Sequence, residues 1–132
     1  MSLTLTVDAA RWQAHVAEVA AAVGPALIPV IKGNGYGLGR TALASYCADL
    51  GPRLVAVGTV HEAAEATAAG LPVLVLTPTL DDPSRLPDST VLTVGDPVHV
   101  AHLDRCGWQR PVVVKLASSM RRYGFDEAPD LP

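Results

Sequence analysis

Five short apolar runs divide this chain, at residues 27–32, 54–58, 73–76, 91–94 and 112–116. Apart from Lys32, Thr93 and Lys115 they are continuously apolar rather than apolar at every second position, which is the mark of strands covered on both faces. Most of the stretches between them carry helix signals. Asp8 can cap a first helix by accepting from free backbone N–H groups. Trp12, Val16, Val19 and Val23 then recur at helical spacing until Gly24 and Pro25 stop it. A second helix spans 40–50, with Leu43, Tyr46, Cys47 and Leu50 on one face and Gly51-Pro52 after it. Thr59 and Glu62 have the spacing of a capping box for a third helix, closed by Gly70. Residues 78–88, rich in Pro and Asp, read as loop with one short helical turn. Asp96 and Pro97 open the last helix as N-cap and first-turn proline, and it ends near Gly107. Strand–helix alternation of this kind predicts an α/β fold with a parallel sheet. Periodicity alone leaves an open doubly wound sheet and a cut barrel as alternatives. Pro29, inside the first run, removes a ladder donor there.

A chain of 132 residues suits one ordinary domain. At 49% hydrophobic and 17% charged it has the composition of a folding chain. The net charge of −3, with no basic run, argues against a nucleic-acid partner. No cationic segment precedes an apolar one at the start, and no apolar run approaches the length of a membrane span. The expected setting is therefore cytoplasmic, with no membrane partner. Cys47 and Cys106 form no CxxC pair and read as reduced, helix-packing cysteines. His15, His61, His99 and His102 are scattered over helices without carboxylate or cysteine partners at ligand spacing, so they read as solvated helix faces and no metal is expected.

Residues 30–39 read VIKGNGYGLG. Two β-branched residues lead into a charge, Lys32, and glycine then recurs at every second position. A buried strand of an α/β sheet delivers a side chain to the ligand-binding rim in this way. A lysine at a strand end can equally be a solvated residue whose stem covers apolar surface. The glycines allow backbone N–H groups to approach an anion. They fit neither the GxxxxGK[ST] of a P-loop nor a GxGxxG opening a helix, so a nucleotide-binding domain is the weakest reading.

The string Lys32-Gly33-Asn34-Gly35-Tyr36-Gly37-Leu38-Gly39 resembles the pyridoxal phosphate (PLP) attachment motif of alanine racemases. In that family a lysine is followed by Ala, Asn or Asp, Ala, Tyr, Gly, His, Gly. Lys32, Asn34, Tyr36, Gly37 and Gly39 match; Gly33 and Gly35 replace alanines, and Leu38 replaces the histidine. A second block, Lys115 to Gly124, resembles Lys-Ile-Asp-Thr-Gly-Met-Asn-Arg-Leu-Gly. Lys115, Met120, Arg122 and Gly124 match, while Ala117-Ser118-Ser119 departs from Asp-Thr-Gly. Val55-Ala56-Val57 and His61-Glu62-Ala63 look like the family's second strand and following helix. Two motifs in the right order and at the right separation are far more specific than either alone.

The resemblance decides for the barrel. It implies a partial (β/α)8 TIM-type barrel with about five βα strands, since a complete one needs about 250 residues. Residues 1–132 would then be the N-terminal part of an alanine racemase-like, PLP-binding barrel domain, truncated after Asp130-Leu131-Pro132. The implied reaction of the whole enzyme, an isomerase of D-alanine biosynthesis, is interconversion of L- and D-alanine, in a homodimer. The family's pattern assigns Lys32 as the Schiff-base lysine and acid/base on one face of the substrate. It assigns Tyr36 to the cofactor phosphate and Arg122 to the phenolic oxygen of PLP. In some members the lysine matching Lys115 is carboxylated and holds the arginine; that and a surface-facing lysine are both open here. The family's second base, a tyrosine acting across the dimer interface, lies in the C-terminal part and has no counterpart in these residues. The chain alone is therefore expected to be inactive. The alternative is a non-catalytic PLP-binding or relic domain acting through a partner.

Overall fold

The computed structural model describes residues 2–130. Leu131 and Pro132, where the chain was expected to be cut, lie outside the described residues, as does Met1. Helix α1 covers Ala9–Val23, and Asp8 caps it as expected by accepting from the Arg11 N–H at 3.0 Å. Helix α2, Arg40–Leu50, ends at Gly51 in the left-handed conformation. Four strands follow: β1 (Val55–Val57), β2 (Val73–Val75), β3 (Thr90–Val94) and β4 (Val112–Val114). Helix α3 (Ala63–Ala68) joins β1 to β2, and α4 (Pro97–Arg105) joins β3 to β4. The β2–β3 link is loop with one 3-10 turn at Pro83–Arg85. The sheet order is β1-β2-β3-β4, and every pairing is parallel.

The first expected strand is reduced to a single parallel bridge, Val30 with Ala56. Two bonds frame it: Ile31 N–H donates to the Ala56 carbonyl at 2.9 Å, and Ala56 N–H donates to the Pro29 carbonyl at 2.7 Å. Pro29 has no N–H to extend the ladder backwards. The Lys32 carbonyl ends it forwards by accepting from Gly35 N–H at 3.2 Å, which turns the chain out of the sheet. The segment still occupies the place of a fifth strand beside β1.

Strand side chains alternate between faces. One face carries Val55, Val57, Val73, Val75, Leu92 and Val94, none more than 1% exposed. It packs on Ala44 and Cys47 of α2, Ala63 and Ala66 of α3, and Leu103 of α4. Parallel register places Val30, Ala56 and Leu74 on the opposite face, and likewise pairs Thr93 with Val113 there. Buried Thr93 satisfies its hydroxyl by donating to the Val75 carbonyl at 2.6 Å. This second face is unevenly covered: Val30 and Val113 are 48% and 40% exposed. Among the described residues, no helix is long and apolar enough to cross a membrane.

An uncovered apolar face bounded by open strand edges invites pairing with other chains. Residues 1–132 taken alone are expected to self-associate in light scattering. A monodisperse monomer would show that this face is stable in water without further cover.

Candidate active site

Because all the strands run one way, their C-terminal ends form a single rim. Lys32 lies two residues beyond Val30, and Lys115 two beyond Val113, so alternation sends both towards the incompletely covered face. They meet there in a cleft of about 440 Å³ lined also by Gly58, Thr77, Thr93 and Arg122. That is within the usual size range of small-molecule sites. Three of its lining side chains are cationic and, among the described residues, no carboxylate lines it. Such a donor set suits a small anionic ligand.

Arg122 reaches the rim on the segment after β4. The chain leaves Leu116, loops outward, and returns so that Phe125 bridges Leu116. Phe125 N–H donates to the Lys115 carbonyl at 2.9 Å, and Ala117 N–H donates to the Phe125 carbonyl at 2.7 Å. Gly124 makes the close return feasible. It has φ +149°, and a Cβ there would lie 2.6 Å from the Ala117 nitrogen. Lys115 donates from Nζ to the Tyr123 carbonyl at 2.8 Å and lies 5.1 Å from the centre of the Tyr123 ring. Its ammonium therefore helps close the loop. Arg122 itself is exposed, with Nη2 3.7 Å from Met120 Sδ.

Lys32 is exposed, but the residue after it is firmly held. Gly33, at φ +63°, donates its N–H to Glu62 Oε2 at 3.2 Å. Its carbonyl accepts from Arg40 Nη1, and Arg40 Nη2 donates to Glu65 Oε1 at 2.6 Å. Glu62 Oε2 also accepts from Gly58 N–H at 2.7 Å. The expected capping box is thereby corrected: Thr59 makes no side-chain cap bond, and Glu62 serves the strand ends instead. A 3-10 turn at Val60–Glu62 precedes α3 and turns the Glu62 side chain back to Gly58. The hydrogen bond to Glu65 raises the pKa of Arg40, while the same bond from Arg40 lowers that of Glu65.

Tyr36 does not join the cleft. It sits in the 3-10 turn Gly35–Gly37 with φ 55°, is 85% exposed, and lies beside an apolar groove formed with Trp12, Leu43 and Tyr46. The structure thus brings Lys32, Lys115 and Arg122 together and leaves Tyr36 outside. Arg40, Glu62 and Glu65 were not anticipated as site residues. One signal was available: Arg40 opens α2, where the helix dipole disfavours a cation and an acidic partner is needed.

The cysteines differ from each other. Cys47 is on the buried face of α2, and burial raises its thiol pKa. Cys106 is exposed just after α4, its Sγ 3.7 Å from His102 Nε2, and so does not pack in the core as expected. His102 Nε2 also lies 2.9 Å from the Asp81 carbonyl oxygen, and His61 Nε2 lies 3.2 Å from Asp81 Oδ2.

A parallel sheet with helices packed on one face and a lysine at the strand-end rim defines part of an α/β barrel. The comparisons place it further. Residues 7–131 match the alanine racemase N-terminal domain family, and the chain belongs to that family. It superposes on the biosynthetic alanine racemase of Pseudomonas aeruginosa with a TM-score of 0.71 and 26% identity, covering 88% of this chain and 34% of that one. The Bacillus anthracis alanine racemase with bound L-Ala-P gives 0.71 and 25%, covering 87% and 32%. The Clostridium difficile 630 alanine racemase gives 0.65 and 24%, covering 90% and 33%, a likeness of fold. The chain spans about a third of the length of these relatives. Among curated proteins, none matches significantly. The four-stranded sheet is thus the N-terminal barrel portion of an alanine racemase fold.

The Arg40–Glu65 pair has a testable pH signature. Glu65 has a folded pKa below its unfolded value, so its contribution to stability is complete above the ordinary glutamate range, near about 4.3, and is lost as pH falls through the lowered folded value. Glu65→Gln should cost about 1 kcal/mol at neutral pH, as for a partly shielded charged hydrogen bond. The gap to wild type in urea unfolding should close at pH values where Glu65 is protonated in both states. An equal gap at both pH values would contradict this role.

Proposed function

We propose that this chain is the N-terminal part of a PLP-dependent racemase that interconverts L- and D-alanine as a homodimer, with Lys32 as the attachment amine. The observation that carries this reading is the convergence of Lys32 and Arg122 on one cleft that, among the described residues, no carboxylate lines. PLP is an anionic cofactor with a phosphate and a phenolic oxygen, and cationic side chains without competing carboxylates fit it. When bound, PLP supplies a sink for the electrons left on a substrate α-carbon after proton removal.

Lys32 would hold the cofactor through its Nζ amine, and the same amine, when free, would take or return the α-proton on one face of the substrate. Arg122 offers a planar, permanently charged guanidinium to the phenolic oxygen and holds it as the anion. The Lys115–Tyr123 bond fixes the return of the loop that carries Arg122. Tyr36 as a phosphate donor rests on its match in the lysine motif alone; from its place beside the α1–α2 groove, the loop would have to turn over to bring its hydroxyl to the cleft. Racemisation needs a base on the opposite face as well, supplied by a further part of the enzyme.

The chain has only two lysines, Lys32 and Lys115, which makes the test clean. Borohydride reduction of the full-length protein with PLP, followed by peptide mapping, is expected to place the label on Lys32. Label on Lys115, or on neither, would overturn the assignment.

A further inference from the structure

Glu62 lies outside the cleft, yet among the described residues it is the one side chain that ties together the two strand ends beneath Lys32. A single oxygen, Oε2, accepts from Gly33 N–H at 3.2 Å and from Gly58 N–H at 2.7 Å. Gly33 follows Lys32 directly, while Gly58 follows β1 and lines the cleft. We propose that Glu62 is a positioning residue for Lys32, its carboxylate fixing the backbone from which the lysine side chain springs. This inference rests on Lys32 being the attachment amine.

The peptide unit after Lys32 is the one held. Its N–H, on Gly33, donates to Glu62, and its C=O, on Lys32, accepts from Gly35 N–H. Both polar atoms that report the rotation about the Lys32 Cα–C bond are therefore occupied. Before Lys32, Ile31 N–H donates to Ala56 and anchors the chain to β1. After it, the Gly33 carbonyl accepts from Arg40, itself held by Glu65. The root of the lysine is fixed from both sides, while its four rotatable side-chain bonds leave the amine free to swing between cofactor and substrate. That division suits a group that must both attach and move a proton. A misplacement of about 1 Å at such a root can cost on the order of a hundredfold in a reaction that depends on orientation.

The tie is close-fitting on the Gly58 side. A Cβ on Gly58 would lie 2.9 Å from Glu62 Oε2, so a larger residue there would push the carboxylate off the strand end. Among the described residues, Glu62 forms no ion pair. Its role is that of a hydrogen-bond acceptor whose reach matters more than its charge.

Two variants of the full-length protein separate reach from charge. Glu62→Asp keeps the charge but withdraws the oxygen by one methylene. Glu62→Gln keeps the reach and an acceptor oxygen but removes the charge. The readout is the yield of borohydride-reduced PLP on Lys32 at subsaturating PLP. Reductive methylation of Lys115 in PLP-free protein is followed in parallel, because Lys115 is held by Tyr123 and not by Glu62. Glu62→Asp is expected to lower the Lys32 yield about tenfold, Glu62→Gln to stay within about twofold of wild type, and Lys115 methylation to be the same in all three. A wild-type yield in Glu62→Asp would overturn the inference, as would equal losses in both variants, or a Lys115 change that tracks the Lys32 loss and so marks general unfolding. Wild-type label on a residue other than Lys32 would instead overturn the assignment of the attachment amine, and this inference with it.

Discussion

Every backbone rung from Val30 to Val114 joins segments running in the same direction. Parallel pairing forces each strand to hand its chain to a crossover on the far side of the sheet, and so gathers all the C-terminal ends at one rim. Lys32, Gly58, Thr77 and Lys115 come from four different segments and line one cleft for this reason. In an antiparallel sheet, neighbouring ends would lie at opposite rims, and Lys32 and Gly58 would be parted by the length of a strand. The apolar strands make this affordable: their helix-facing valines and leucine are almost wholly buried, so the rim can carry charge without weakening the core.

Strand ends are where a parallel ladder runs out of partners, and the molecule answers this with side chains. Glu62 takes two N–H groups at the first two ends, Arg40 takes a carbonyl beside them, and Lys115 takes the Tyr123 carbonyl at the last. These side chains hold loops rather than decorate the surface. The two arms differ in chemistry. The Lys32 arm is an acid–base network of Glu62, Arg40 and Glu65, while the Arg122 arm is a backbone return made possible by Gly124.

Much of this was legible in the sequence because it is local. The bounds of α2, the Asp8 and Asp96 caps and the apolar strands are set by patterns within a few residues, and they appear where periodicity and capping chemistry put them. Pro29 had already marked the first strand as weak, and it survives as one bridge. The Glu62 network was not legible. Gly33 and Glu62 are 29 residues apart, and Arg40 and Glu65 are 25 apart, so no local spacing links them. Glu62 also satisfied a plausible local rule, the capping box with Thr59, and the tertiary bonds to two strand ends prevailed over it. Tyr36 shows the reverse: its motif match is local, but its placement depends on a glycine-rich loop that turns it towards α1 and α2.

We propose that the parallel rim forms a cofactor site whose two working cations are Lys32 and Arg122. A crystal structure of the full-length protein grown with PLP tests it most directly. The account predicts density continuous from Lys32 Nζ into the cofactor, with the Arg122 guanidinium within hydrogen-bond distance of the phenolic oxygen. Cofactor bound away from this rim, or bound with Arg122 turned out to solvent, would contradict it.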